Sequence, residues 1–531
     1  MMRINFYIII IFIAILFPQG KIDPVFTGSF GSVTINNQVY NQFSLKPELV
    51  FGKVGLGLDL YFYFDQDGNM YDENWNFSTS KDTYKTLVDK IYYLRWGLPY
   101  EDTYFRVGAL PGITLGSGSL VNRYSNVMDY PRVRRTGFNF KYKFQNFRLQ
   151  FVHSDLKELN EPGLVAVEGT FEYIKNLDFT FSLVSDPNQK KGLLDSDGDG
   201  YPDHVERDFA NDSSQWHEFQ DDIYNLYNNP YCVSNDDLDV DENGLNDACD
   251  SAIEQYENMM VNDLSVYELE NKDEVSGLSL GLTYTVNSNI KLYSEFSQLL
   301  GKTLNPYINP YDIESHTDLY NDHQELYGER FTNFDDNLGY GFIPFGLKAE
   351  WENVILTIDY RENSEHYLFN FWDQNYDHNR VMVDSGNKVV TKEDKLYKYG
   401  KSKGGNITIS SNFLKYFHLN VGYQHLDGEK WDSLAEKFKS DKNNSFYTKL
   451  DIDTSKINKV RVAEIFYKQS NSSKPFSIKD KDENTLFGYN VGIEMADNMI
   501  LILKGRKSYE INETGEYTPV KTTQIETQVI F

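Results

Sequence analysis

From Lys53 to Phe64 the chain alternates strictly. Val54, Leu56, Leu58, Leu60, Phe62 and Phe64 fall on one side; Gly55, Gly57, Asp59, Tyr61 and Tyr63 fall on the other. A period of two puts successive side chains on opposite faces of an extended strand, and would scramble the faces of a helix. The pattern recurs along the chain. Phe138, Phe140, Tyr142 and Phe144 alternate with Asn139, Lys141 and Lys143, and Val165, Val167, Phe171 and Tyr173 alternate with Glu168, Thr170 and Glu172. Leu278–Leu280–Leu282–Tyr284, Val354–Leu356–Ile358–Tyr360 and Phe487–Tyr489–Val491–Ile493–Met495 continue it.

Segments about ten residues long, with one apolar, aromatic-ended face and one polar face, are the mark of strands that cross an outer membrane. The spacing predicts about twenty (16–20) antiparallel strands closed into a transmembrane β-barrel. Their predicted starts are near residues 25, 39, 53, 84, 102, 134, 146, 163, 177, 275, 290, 340, 353, 404, 416, 444, 457, 487, 498 and 517. The connections between them differ in length. Gln145–Asn146, Ile174–Asn176, Asn287–Asn289, Glu352–Asn353 and Ala496–Asn498 are short, whereas 65–83, 117–133, 187–274, 301–339, 364–403, 428–443 and 468–486 are long. With the N-terminus on the periplasmic side, every long connection falls outside the cell, the asymmetry of bacterial barrels. Near the end, Ile525, Thr527, Val529 and Phe531 alternate with Gln524, Glu526 and Gln528. This resembles the terminal strand of bacterial outer-membrane (porin-like) proteins, and the resemblance implies a chain that stops at the barrel. The competing architecture, a soluble array of β-sandwiches, needs no such asymmetry of connection length.

Residues 1–20 have the form of a secretory signal: Arg3, then an apolar run from Phe6 to Phe17, then Pro18-Gln19-Gly20. Twelve apolar residues are too few to span a bilayer as a helix, which needs about 20. The formal charge of -28 argues against nucleic acid as a partner.

One connection carries a motif of its own. Asp195, Asp197, Asp199, Asp203 and Glu206 occupy positions 1, 3, 5, 9 and 12 of a twelve-residue loop, with Gly200 at the sharp turn of position 6. Tyr201, at position 7, offers its backbone carbonyl. Asp239, Asp241, Asn243, Leu245, Asp247 and Asp250 repeat the pattern at positions 1, 3, 5, 7, 9 and 12, around Gly244. Carboxylates crowded on one point repel unless a cation sits among them, and Ca2+ takes six to eight oxygen ligands. A solvated acidic loop would explain the charge, but neither the every-second-residue spacing nor the glycine.

The wording, above all Asn243-Gly-Leu-Asn-Asp-Ala-Cys-Asp250, resembles the thrombospondin type 3 calcium-binding repeats. That resemblance implies a loop-rich, calcium-filled module with little core of its own. Two departures leave its packing open between an array and two separate sites: the long spacer between the loops, and Glu206 at position 12 as in EF-hands. Cys232 and Cys249 flank the second loop, and in an exported protein so close an isolated pair usually forms a disulfide. Ile253, Tyr256 and Met260 recur at helical spacing after it, the stripe of a short amphipathic helix.

The connection 117–133 and its edge hold four arginines, Arg123, Arg132, Arg134 and Arg135, in an acidic chain. Folded into the lumen they would form a selectivity constriction facing acidic wall residues. At the rim they would instead pair with lipopolysaccharide phosphates or neighbouring carboxylates. Asp65-Gln-Asp-Gly-Asn69 lacks the position-6 glycine and is an acidic turn. Neither a His-Glu-x-x-His metal spacing nor a Gly-x-Ser-x-Gly elbow occurs, so the expectation is a protein that is not an enzyme.

The organisation expected is a signal (1–20), a first barrel part (21–186), an extracellular calcium-binding insertion (187–274) and a second barrel part (275–531). The function expected is a porin-like outer-membrane channel for small solutes, embedded in lipid and lipopolysaccharide, with a calcium-stabilised surface module. The alternative is a surface binding protein, in which the barrel is an anchor and the module or the long loops engage a partner.

Overall fold

The computed structural model describes residues 25–530 except 36–37, 67, 69, 71–74, 129–132, 194, 196–200, 203–204, 207–208, 210–212, 228–271, 306–334, 384–388, 414–415, 434, 455–456, 458, 478–480 and 512–515. Twenty antiparallel strands form one closed barrel. In chain order they are β1 Val25–Ile35, β2 Gln38–Phe51, β3 Val54–Leu58 (resuming after Asp59 as Leu60–Phe64), β4 Ile91–Trp96 and β5 Thr103–Gly108. Next come β6 Gly137–Phe144, β7 Phe147–His153, β8 Val165–Ile174, β9 Leu177–Asp186 and β10 Val275–Thr285. β11 Ile290–Leu300, β12 Tyr340–Trp351, β13 Val354–Asn363, β14 Tyr399–Phe413 and β15 Phe417–Asp432 follow. The last are β16 Lys437–Ile452, β17 Val460–Ser472, β18 Thr485–Ala496, β19 Met499–Ile511 and β20 Tyr517–Ile530. Each strand pairs with its sequence neighbours, and β1 closes the ring on β20 from Thr27↔Ile530 to Val33↔Gln524. Closing the ring on itself removes the two outer edges of the sheet, so the paired ladders satisfy their backbone groups without water.

The alternation in β3 emerges as read, and its sense is inverted relative to a soluble protein. Gly55, Gly57, Asp59, Tyr61 and Tyr63 are buried inside, while Leu56, Leu58, Leu60, Phe62 and Phe64 are partly exposed outside. The other strands follow. Leu280, Leu282, Ile358, Ile407, Ile409, Ile493 and Ile525 are exposed, whereas Glu295, Asp359, Arg361, Gln424 and Glu526 are buried. In water that distribution would be unstable; in lipid the outer apolar band is the solvated face. Trp96, Tyr142, Phe144, Tyr173, Tyr284, Trp351 and Phe413 lie exposed toward the short-turn end, and Phe296, Tyr340, Phe342 and Tyr517 toward the other. These are two aromatic girdles.

The parity of the connections holds: each turn leading from an even strand to an odd one is short, and every long connection lies at the opposite end. Asn176 and Asn498 sit at positive φ (63° and 61°) in such turns, the backbone conformation asparagine tolerates best after glycine. Two boundaries need correction. The expected strand near residue 84 is a helix, α1 (Ser80–Asp89), opened by a Thr79/Asp82 capping box, and the strand starts at Ile91. The long connection expected at 428–443 is instead a tight turn, because β15 and β16 stay paired from Phe417↔Ile452 to Asp432↔Lys437. The signal segment 1–20 and the amphipathic stripe of Ile253, Tyr256 and Met260 lie outside the described residues.

Candidate functional site

The barrel is not hollow. Two long connections fold inward and meet: residues 109–136, between β5 and β6, and residues 364–398, between β13 and β14. Their apolar side chains build the main buried cluster, with Leu110, Ile113, Leu120 and Tyr124 from the first packing against Leu368, Phe371, Trp372 and Tyr376 from the second. Val121–Asn122 pairs in parallel with Trp372–Asp373, joining the segments through their backbones.

Wall residues hold this plug from all sides. On β8 and β11, Glu168 accepts from the Gly116 N–H, and Glu295 accepts from the N–H groups of Ser117 and Ser119 and from the Ser119 hydroxyl. Gly116 is required here. Its φ is +56°, and a Cβ would lie 2.4 Å from the Glu295 Oε2. Across the lumen Arg506 on β19 donates to the carbonyls of Val127 and Met128. On β17, Lys468 pairs with Asp373.

Three of the four expected constriction arginines can be placed. Arg134 pairs with Asp59 of β3 at 2.8 Å, its guanidinium 3.4 Å above the Tyr61 ring. Arg135 pairs at 3.6 Å with Asp377 of the second segment, and Arg123 donates to the Tyr447 hydroxyl of β16 at 2.9 Å. Arg134 therefore faces an acidic wall residue, as expected of a constriction arginine. Arg132 lies outside the described residues.

Burial and charge compete within the plug. Burial works to raise the Asp373 carboxyl, but Lys468 and Lys392 outweigh it and hold the group below its ordinary value. The Lys392 amine is pushed down to about 8 by burial, against the pull of Asp373. Glu393 goes the other way, up to about 9, through burial and the charge of Asp273.

Beside the plug lies a cavity of about 490 Å³ between β1–β5 and β17–β20. Its lining holds six cationic side chains (Lys46, Arg106, Arg134, Arg135, Lys504 and Arg506) and four acidic ones (Glu48, Asp59, Asp89 and Glu464). In a chain of formal charge -28 this local surplus is opposite in sign to the molecule as a whole. Most of these cations come from strands far apart in sequence, so no local motif marks them. The plug's second segment did leave a signal: Tyr367-Leu-Phe-Asn-Phe-Trp372 is too apolar for a solvated loop.

Of the first acidic loop, Asp195, Tyr201 and Glu206 are described; Asp197, Asp199 and Asp203 are not. The second loop (Asp239, Asp241, Asn243, Leu245, Asp247, Asp250) and the pair Cys232 and Cys249 lie wholly outside the described residues. Glu206 is fully buried, next to a cluster in which Trp216 and Phe219 of α2 (Ser213–Tyr227) pack with Phe209. A carboxylate shut away from water is costly unless hydrogen bonds or a cation face it. Among the described residues no group of three acidic, histidine or cysteine side chains converges on a metal-binding point.

No family model matches the chain, and no curated protein does. Solved structures similar to it include the copper transporter OprC, 8% identical with a TM-score of 0.35, covering 97% of this chain and 81% of that one. OccK3 (OpdO) of Pseudomonas aeruginosa is 8% identical with a TM-score of 0.31, covering 96% and 95%. OprD of Pseudomonas aeruginosa is 8% identical with a TM-score of 0.30, covering 96% and 95%.

Proposed function

We propose that the chain is an outer-membrane channel for small solutes, with the plug as its constriction and a preference for anions. The carrying observation is the cationic lining of the 490 Å³ cavity beside the plug. Fixed positive charge at a narrow, low-dielectric point raises the local concentration of anions and sets selectivity. The membrane location is supported by the outward apolar band with its two aromatic girdles. Arg123, Arg134 and Arg135 are the constriction residues in this reading, since Arg123 and Arg134 fasten the plug to the wall, Arg135 ties its two segments together, and Arg134 and Arg135 line the cavity. The test is single-channel recording of the purified protein across a salt gradient. A reversal potential of the sign for anions is expected; no conductance, or one favouring cations, would overturn the reading.

The insertion, in the same proposal, is an external module stabilised by Ca2+. Asp195, Asp197, Asp199, Tyr201, Asp203 and Glu206 would hold one ion, and Asp239, Asp241, Asn243, Leu245, Asp247 and Asp250 a second. The burial of Glu206 is the structural support for the first. The ion would supply the positive charge that lets these carboxylates pack together.

A further inference from the structure

The barrel wall has a gap that strands do not fill. β4 and β5 are six residues long each, whereas a strand that crosses a bilayer takes about 9–11. Tilted, six residues span only part of the apolar band. Next to them the second half of β3, Leu60–Phe64, pairs with β2 on one edge only. Among the described residues its other edge has no partner strand. Where the wall parts, the Asp59 N–H donates to the Lys90 carbonyl at 2.9 Å, and the indole of Trp75 donates to the Tyr61 carbonyl at 2.8 Å.

Helix α1 is anchored at the gap, where its Asp89 accepts from the Tyr61 hydroxyl and its Val88 carbonyl from the Thr136 hydroxyl. An α-helix is the element that suits an opening facing lipid, because its backbone groups bond within it. Tyr84 and Leu87 are exposed on its outer side, as is Phe77 just before it, with Lys81 exposed one turn nearer its start. Its far side is fastened to the β7–β8 connection by side chains alone: Tyr84 to the Leu156 carbonyl, Lys85 to Glu158 and Lys157 to Asp89. No hydrogen-bonded ladder seals that border. The Lys85–Glu158 pair is half-exposed and much weaker than a strand ladder, while Lys157–Asp89 is largely shielded, so the turn of α1 held by Tyr84 and Lys85 is the part of this border that opens at the lower cost. Directly behind it lies the cationic cavity, whose lining includes Asp89 at the end of α1 and Ile91, Tyr92 and Arg134.

We infer that α1 closes a lateral portal between the cavity and the outer leaflet, and that its ligand is a single-chain anionic amphiphile. The acyl chain would remain in lipid beside Tyr84 and Leu87, and the carboxylate head would enter the basic cavity. The inference rests on the anion-attracting reading of that cavity. A 12-carbon carboxylate carrying a diazirine, dissolved in nanodiscs holding the protein, tests it. On illumination it should label Ile91 and Tyr92, and added dodecanoate should compete. Lys85→Cys and Glu158→Cys, bridged by a cleavable bismaleimide, should lower that labelling about tenfold, and cleavage of the bridge should restore it. Absence of label at Ile91 and Tyr92, or label indifferent to the bridge, overturns the portal. Heat-modifiable migration of the bridged protein reports that its barrel is folded. Chloride conductance of the same sample reads the channel separately: label without conductance would sink the channel and keep the portal, and conductance without label the reverse.

Discussion

Ser119 gives both its backbone N–H and its hydroxyl to one oxygen of Glu295, a residue 176 positions later on the opposite side of a membrane-spanning wall strand from lipid. Glu295 is almost completely buried, and its neighbour Glu168 takes the Gly116 N–H in the same way. Two wall carboxylates thus hold the plug by its backbone. Hydrogen bonds to a charged acceptor are worth roughly 1.5–3 kcal/mol each, so the four made here hold the plug firmly.

Loosening that attachment should open the channel. Glu295→Gln keeps the shape but loses the charge, and Gly116→Ala introduces a Cβ at 2.4 Å in a left-handed conformation. Strain of about 1–3 kcal/mol is expected for the latter. Both variants should show larger or noisier single-channel currents than the parent. Currents identical to the parent's would mean that the plug does not limit flow.

Charge removal should act by sign. Replacing Arg135 or Arg506 with Gln is expected to shift the reversal potential toward cations, because each lines the cavity. Arg134→Ala is a different case. It strands Asp59 without its buried partner, and breaking such a pair costs roughly 3–5 kcal/mol. The double variant Asp59→Asn with Arg134→Gln should recover most of that stability while still losing the fixed cation, which thermal unfolding in detergent would report.

Chelation should loosen the insertion and spare the barrel. Proteolysis within 187–274 is expected to accelerate without Ca2+, and Glu206→Gln should reproduce the effect. Affinity in the range of about 0.1 to 1 mM suits an external site. A cleavage pattern indifferent to chelator, before and after reduction, would remove calcium from the account.

Glu393 predicts a pH dependence at the base of the insertion. Its carboxyl accepts from the Lys302 N–H and the Gln189 side chain, faces the acidic Asp273, Asp394 and Glu274, and is raised to about 9. A raised carboxyl keeps its proton in the folded state after the unfolded chain has lost it. Its stabilising effect is therefore complete below the ordinary carboxylate value of 4.5 and is lost as pH rises toward 9. Amide exchange at 189–193 and 302–304 should quicken over that window, and Glu393→Gln should flatten the change. Equal pH profiles in both proteins would refute it.

Alternation alone determined the barrel. Because each strand buries one face and offers the other to lipid, Leu56, Leu58 and Leu60 against Gly57, Asp59 and Tyr61 settle both strand and register locally. Turn lengths then sorted the connections between the barrel's two ends. The plug, the cavity and the helical patch were decided only in three dimensions. Glu295 and Ser119, or Arg134 and Asp59, meet because closing the ring brings distant strands around one lumen, and no periodicity in the sequence records that meeting. Ser80–Asp89 shows the limit from the other side. Tyr84 and Leu87 stand three residues apart, a spacing that shares a face in a helix and not in a strand, but where that helix sits, beside the edge of Leu60–Phe64 that pairs with no strand among the described residues, is decided by the fold.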